Sequence, residues 1–342
     1  MEILLSSSSS ASLNGHGTPS NGLETPIQNQ QNLPCDSVAV SPLPTSNGYS
    51  HRALNSHNEE IIHHLYHAGF QTGHYADTIL NVRQNSYRLH AIILSRSPFL
   101  AHLMSTSPPA GGQRVIYVQL DNEPEVTQEG FVIALGYLYS SVSIDLIRPD
   151  NSRGVLAAGC LLGGMDDLCV YAYESCRQSI NVETIHEWLE FVDSIPGSDG
   201  SLDPEQQTLT SVFGQYARRL RDDVFHFLVD TLPNVLEVNS SAVSESGSSQ
   251  GRSGRETLLQ IFSLVPFDMF KAAVESPAFQ IGSDQSRFKF AKDAVELRKK
   301  GIARGRGAEE TVVLAFGGSH MGESAVHVTR KIRKRPLWKV NS

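Results

Sequence analysis

His57, His63, His64, His67 and His74 crowd one short stretch of the chain. His63 and His67 are four positions apart, so on a helix both imidazoles share one face, a spacing that can hold zinc. No cysteine or carboxylate set at ligand spacing completes such a site, and a polar helix edge accounts better for the cluster. Cys160, Cys169 and Cys176 are separated by eight and six residues, wider than the two to four that zinc pairs favour, and they lie among apolar residues. They read as small core side chains. Asp166-Asp167 opens a helical pattern, where acidic groups complement the helix dipole. No Gly-rich phosphate loop precedes a helix with a lysine, and the glycines of Gly159-Cys160-Leu161-Leu162-Gly163-Gly164 fall inside and at the end of a helical pattern, where they read as close packing and a helix stop. No Gly-x-Ser-x-Gly elbow is present. The residue types therefore give no catalytic group, no metal ligand set and no cofactor site, and a non-enzymatic protein is expected.

One cluster is strongly basic. Arg330-Lys331-Ile332-Arg333-Lys334-Arg335 precedes Trp338-Lys339. Lys331, Arg333, Lys334 and Arg335 suit a nuclear localisation signal or a weak nucleic-acid patch, or simply a solvated run. The chain as a whole has a net charge of −8 and a pI of about 5.9, which opposes a protein-wide nucleic-acid surface. Four cysteines in 342 residues are too few for a disulfide framework and favour a reducing compartment. No apolar run is long enough to span a membrane: Phe131–Ile147 is broken by Ser140, Ser141, Ser143 and Asp145. The start, Met1-Glu2-Ile3-Leu4-Leu5 followed by serines, lacks the basic n-region of a secretory signal, and no Arg or Lys precedes Arg52. A cytoplasmic or nuclear protein is the expectation.

The elements that would position these residues follow from apolar periodicity. Residues 1–52 are rich in Ser, Asn, Gln, Pro and Gly and cannot bury enough surface to offset their ordering entropy, so they are expected to be disordered. Ile61, Ile62, Leu65 and Ala68 recur at helical spacing over Asn55–Phe70, with Gly69 as the stop. Asp77–Val82 and Asn85–Leu89 alternate like strands joined by a turn at Arg83-Gln84, and Val115–Leu120 is a third strand. Helices are predicted over Ala91–Met104 with a break at Ser97-Pro98, and over Thr127–Tyr139, Asn151–Leu162 and Asp166–Gln178. Helical patterns continue at Val182–Val192, Pro204–Val238, Thr257–Val265 and Phe267–Glu275, then from Ser283-Asp284 to about Lys300. The Ser/Gly-rich stretch 239–254 reads as a flexible linker, and little regular structure is expected from Gly301 on. No internal repeat is visible.

This order of elements, with the residues in it, resembles the BTB/POZ domain. The matching blocks are Phe70-Gln71-Thr72-Gly73-His74-Tyr75-Ala76-Asp77-Thr78-Ile79-Leu80-Asn81-Val82 and Tyr87-Arg88-Leu89-His90-Ala91-Ile92-Ile93-Leu94-Ser95-Arg96-Ser97-Pro98-Phe99. Val118-Gln119-Leu120-Asp121, Tyr137-Leu138-Tyr139-Ser140, Leu156-Ala157-Ala158-Gly159 and Leu168-Cys169 follow in register. After Ser179, Asn181-Val182-Glu183-Thr184 and Leu264-Val265-Pro266-Phe267-Asp268-Met269-Phe270 look like parts of a BACK-type helical extension, as in fungal BTB proteins. The resemblance implies an α+β fold: a small three-stranded sheet flanked by helices over 53–179, then BACK-like helices over 180–238 and 255–300. The linker 239–254 and a basic, irregular 301–342 complete the chain.

The resemblance also implies a symmetric homodimer through the first helix, with Ile61, Ile62, Leu65, Phe70 and Asp77 at the interface. In the family the aspartate matching Asp77 lines a pocket and pairs with a basic residue after the histidine matching His90. Here that position is Ala91, a departure that weakens any role for a charged pocket; a solvated or backbone-bonded strand-start carboxylate is the alternative. Many BTB proteins bring clients to a cullin-type ubiquitin ligase, and by resemblance Leu100, Leu103 and Tyr139 would face the cullin. The loop Ser105-Thr106-Ser107-Pro108-Pro109-Ala110-Gly111-Gly112 holds no glutamate, so the hydrophobic-x-Glu motif of tight cullin binders is missing. The expected function is a dimerising adaptor with an unidentified client, or else a nuclear regulator or scaffold that dimerises without a cullin.

Overall fold

A computed structural model describes residues 48–109, 111–195, 211–238, 253–302, 310–316 and 326–332. The N-terminal segment as far as residue 47, the loop after Ile195, most of the Ser/Gly-rich linker, and Arg333, Lys334 and Arg335 lie outside these residues.

Helix α1 (Gly48–His64) runs directly into a wider π-helical turn, Leu65–Gln71. It begins ahead of the Asn55 that apolar spacing marks, because an established helix extends through polar residues one hydrogen bond at a time. Gly69, expected as the stop, sits inside the π turn. Gly73 ends it: φ is +64°, and a Cβ there would lie 2.7 Å from the Arg88 Cβ.

Strand β1 (Thr78–Val82) is central in a three-stranded sheet. It pairs antiparallel with β2 (Asn85–Leu89), Leu80 opposite Tyr87. The turn falls at Arg83-Gln84, as the sequence marks it, with Arg83 at φ 53°. Helices α2 (Ala91–Leu94) and α3 (Pro98–Thr106) then return the chain to β3 (Arg114–Val118), which lies parallel to β1 with Leu80 opposite Ile116. Thr78, Leu80 and Val82 alternate into the core, joined by Ile116 and Val118. The break between α2 and α3 has its own chemistry. Ser97 Oγ accepts the Leu100 N–H at 3.2 Å and donates to the Leu162 carbonyl, while Pro98 takes the first helical position, where a missing N–H costs nothing.

Helices α4 (Gln128–Tyr139), α5 (Ser152–Leu162) and α6 (Asp166–Gln178) complete the core, with a 3₁₀ turn at Ser141–Leu146 between the first two. Thr127 caps α4 by accepting the Gly130 N–H. Glycine lets α4 and α5 cross backbone to backbone: a Cβ on Gly130 would meet the Gly154 carbonyl carbon at 2.3 Å. Asp166 and Asp167 stand in the first turn of α6. The chain is mixed α and β, mostly helical, with one small three-stranded sheet, as expected.

A second group of helices follows: α7 (Ile185–Asp193), α8 (Gln215–His226), α9 (Leu232–Val235), α10 (Gly254–Leu264), α11 (Phe267–Glu275) and α12 (Asp284–Ile302). A π turn at Phe227–Thr231 joins α8 to α9. Phe262, Phe270, Phe279 and Phe290 are all fully buried around one another, with Phe262 stacked on Phe279 at 5.0 Å between ring centroids.

Regular structure does not end at Gly301. Strands β4 (Glu310–Phe316) and β5 (Val326–Ile332) form an antiparallel pair, Val313 opposite Thr329. Residues 301–342 are therefore not irregular throughout. Thr311-Val312-Val313-Leu314-Ala315-Phe316 is an uncharged run of strand-forming residues, and its alternate side chains turn inward: Val326 and Val328 are buried and Val312 and Leu314 are half-buried.

Candidate interaction surface

The π turn after α1 swings its aromatic residues onto α4. Tyr66 is buried and Phe70 half-buried, with Phe70 5.5 Å from Tyr66 and 5.3 Å from Tyr139 between ring centroids. Gly69 leaves room for the Tyr139 ring, since a Cβ on it would touch that ring at 3.4 Å.

Tyr139 is the hub of a small polar network. Its hydroxyl accepts the backbone N–H of His90 at 3.0 Å and lies 3.0 Å from His90 Nδ1. His90 Nε2 is 2.8 Å from the His74 carbonyl oxygen. A carbonyl only accepts, so Nε2 carries the proton, Nδ1 accepts, and the Tyr139 hydroxyl donates to it. Burial pushes the Tyr139 phenol up to about 12, with the Asp77 charge adding to the rise and the His90 N–H offsetting part of it.

Asp77 meets the same junction from the start of β1. Its Oδ1 accepts the Ala91 N–H at 2.8 Å and the Thr78 hydroxyl at 2.9 Å. The carboxylate thus caps the first turn of α2, and among the described residues no ion pair joins it to Arg88 or to any other cation. It is the backbone-bonded alternative that the geometry adopts.

The residues expected at a dimer interface divide by exposure. Ile61 and Ile62 are exposed at 46% and 42%, two adjacent β-branched side chains on α1. Leu65 and Phe70 are half-buried against it, and Asp77 is exposed. Sequence reasoning missed two further apolar residues, Tyr75 at 93% exposure and Ile92 at 77%. Each adjoins in sequence a residue tied into the network, His74 and Ala91 respectively. The signal for Ile92 was present, because four apolar residues in succession, Ala91-Ile92-Ile93-Leu94, cannot all face inward on so short a helix.

The residues expected to face a cullin divide differently. Leu100 is fully buried and Tyr139 is 4% exposed, so both belong to the core and neither offers a surface. Leu100 lies on the buried face of α3, and the Tyr139 hydroxyl meets His90. Leu103 alone of the three is partly exposed.

His63 and His67 do come together, ring centroids 4.1 Å apart, and His67 Nδ1 is 2.7 Å from Gln71 Oε1. No group of three or more His, Cys, Asp or Glu among the described residues is placed to hold a metal ion. Cys169 and Cys176 are buried and Cys160 is half-buried. The Cys160 thiol donates to the Cys169 sulfur, which pulls Cys169 down and pushes Cys160 up. Of the basic run, Lys331 falls on β5, and Arg333, Lys334 and Arg335 are outside the described residues. Among the described residues no helix is long and apolar enough to cross a membrane.

No family model matches the chain. The chain is similar to BTB/POZ domain-containing protein 2 of Schizosaccharomyces pombe, 29% identical over 285 residues, which cover 81% of this chain and 90% of that protein. It is also similar to Germ cell-less protein-like 2 of Homo sapiens, 26% identical over 122 residues, which cover 36% of this chain and 22% of that protein. With a helix-first entry, a β2-β1-β3 sheet and the α2–α6 helices in this order, the chain is similar to BTB/POZ-domain proteins, and its mixed α and β fold is consistent with that domain followed by further helices.

Proposed function

We propose that this chain is a homodimeric adaptor, with one surface joining two copies and the helices after Ser179 holding a client. The observation that carries the reading is the exposed pair Ile61 and Ile62 on α1. A symmetric interface presents the same patch from both subunits, so a compact apolar pair on one helix serves both sides. Leu65 and Phe70, half-buried in the π turn that follows α1, and Asp77, which caps α2, would lie at the margin of this interface. The BTB/POZ domain is a protein-interaction domain, and such domains are generally not enzymes. Helices α7 to α12 are read as the BACK-like extension.

Recruitment to a cullin-type ubiquitin ligase is the more specific form of this reading. With Leu100 and Tyr139 in the core, Leu103 and the exposed parts of α3 are left to meet the scaffold. Calorimetric titration of the full chain with a cullin N-terminal domain tests it. Micromolar binding that Leu103→Glu weakens supports the scaffold role. The absence of heat at high concentration removes that role and leaves the dimer.

The second reading is a nuclear regulator, supported by the cations Lys331, Arg333, Lys334 and Arg335. Changing those residues to Ala and imaging the full chain tests it: loss from the nucleus supports the reading, and unchanged distribution contradicts it.

A further inference from the structure

Among the described residues the β4–β5 pair has one closed edge and one open edge. The N–H of Val328 donates to Glu275 Oε1 on α11 at 2.7 Å. That bond fixes the phase of the ladder. In an antiparallel pair the N–H and C=O of a residue point to the same side, alternating along the strand. The Val328 backbone points away from β4, so Leu314 opposite it points away from β5, and so does Val312 two positions earlier. The outer edge of β5 is therefore covered by α11. The outer edge of β4 presents the N–H and C=O of Val312 and Leu314, and among the described residues no hydrogen bond reaches them.

Exposed edges of this kind are usually blunted by a charge, a proline or a bulge. Strand β4 has a single charge, Glu310 at its first position, and no charge or proline from Thr311 to Phe316, and its register with β5 runs without a bulge. Val313, on the outer face, is 46% exposed. From these features we infer that the open edge of β4 pairs antiparallel with β4 of a second copy, forming the continuous sheet β5-β4-β4-β5 about a twofold axis at Val313.

The strand is suited to its own copy. A twofold at Val313 sets Val313 opposite Val313 of the second copy, Val312 opposite Leu314, Thr311 opposite Ala315 and Glu310 opposite Phe316. No like charges face each other, and the Val312–Leu314 pairs carry the outward backbone groups that the hydrogen bonds require. The axis also keeps the inner side chains Val312 and Leu314 of both copies on one face of the sheet. This interface stands on its own observation and is separate from the α1 patch. If both form, two different twofold contacts on one chain link copies beyond a dimer.

The test uses the full chain. Val313→Cys places two thiols in a non-hydrogen-bonded cross-strand pair, where side chains approach closely. Mild oxidation with copper phenanthroline is expected to give a disulfide-linked dimer, located by mass spectrometry at position 313 in both peptides. Thr329→Cys, on the same face of β5 but away from the axis, is expected not to link. Val313→Lys sets two ammonium groups face to face and is expected to lower the solution mass by up to about twofold, with the melting curve unchanged, while Val313→Thr retains the parent's mass. Cross-linking at position 313 no faster than at 329, or a mass for Val313→Lys equal to the parent's, overturns the inference. A client strand or another segment of this chain on that edge would give those same results.

Discussion

The Asp77 carboxylate accepts the backbone N–H of Ala91 at 2.8 Å, tying the start of the central strand to the start of α2. The residue that closes the junction is thus the carboxylate itself, with no basic side chain at the next helical position. A capping carboxylate is worth about 1 kcal/mol. Asp77→Ala should lower stability by about that amount in urea unfolding. Asp77→Asn, which keeps an acceptor oxygen, should lose less. Equal losses for the two would mean that charge, not the hydrogen bond, matters.

Tyr139 and Tyr173 are two of the groups that make stability fall at alkaline pH. Burial holds both phenols up, to about 12, and for Tyr173 the Asp223 carboxylate, 2.5 Å from its hydroxyl, adds to the rise. In the unfolded chain they titrate near 10.0. Above that pH the unfolded state loses protons that the folded state retains, so stability falls as pH rises from about 10 toward 12. Urea midpoints across this range should drop, and less steeply in Tyr139→Phe. At neutral pH the same substitution leaves the His90 N–H and Nδ1 without their hydroxyl, costing about 1–3 kcal/mol. A midpoint independent of pH over this range would contradict the burial.

Gly130 has no room for a methyl group, because the neighbour is the Gly154 backbone rather than a flexible side chain. Gly130→Ala should push α4 and α5 apart and cost at least the ~1–3 kcal/mol of ordinary overpacking. Chemical denaturation and near-UV circular dichroism read it. A variant as stable as the parent would contradict the close crossing.

Arg153 joins the sheet-bearing part to the later helices. It pairs with Glu125 at 2.8 Å and lies over the Trp188 and Phe191 rings of α7 at 5.9 and 5.3 Å. A lysine keeps the charge but not the planar stacking. Arg153→Lys should therefore lose ~0.5–2 kcal/mol, measured by denaturation. No loss would assign the site to simple charge pairing.

Much of this architecture was legible because local patterns and tertiary contacts agree. Thr78, Leu80 and Val82 alternate and are buried in that alternation. Ser97-Pro98 marks a helix start that capping then uses. Other features lack a local signal. The π turn at Leu65–Gln71 keeps nearly the same apolar spacing as an α-helix, so the displaced stop at Gly73 does not show in periodicity. Leu100 and Leu103 are both apolar on α3, and only packing decides that the first is buried. Strand β4 did leave a signal, six uncharged residues from Thr311, but the glycines and charges around it masked it. At the interaction surface Ile61 and Ile62 were legible as apolar residues on a helix. Their exposure, and that of Tyr75 and Ile92, depends on what the π turn and α2 turn toward the core.

The central claim is that Ile61 and Ile62 join two copies, and sedimentation velocity on the full chain measures it most directly. The assembly is expected to lose its α1 contact when Ile61→Asp and Ile62→Asp are combined, with the mass falling about twofold and the melting curve little changed, since both side chains are exposed. Combined with Val313→Lys, the same pair should leave a monomer. A mass unaltered by the two aspartates, or a parent chain that is monomeric at all concentrations, would contradict the account.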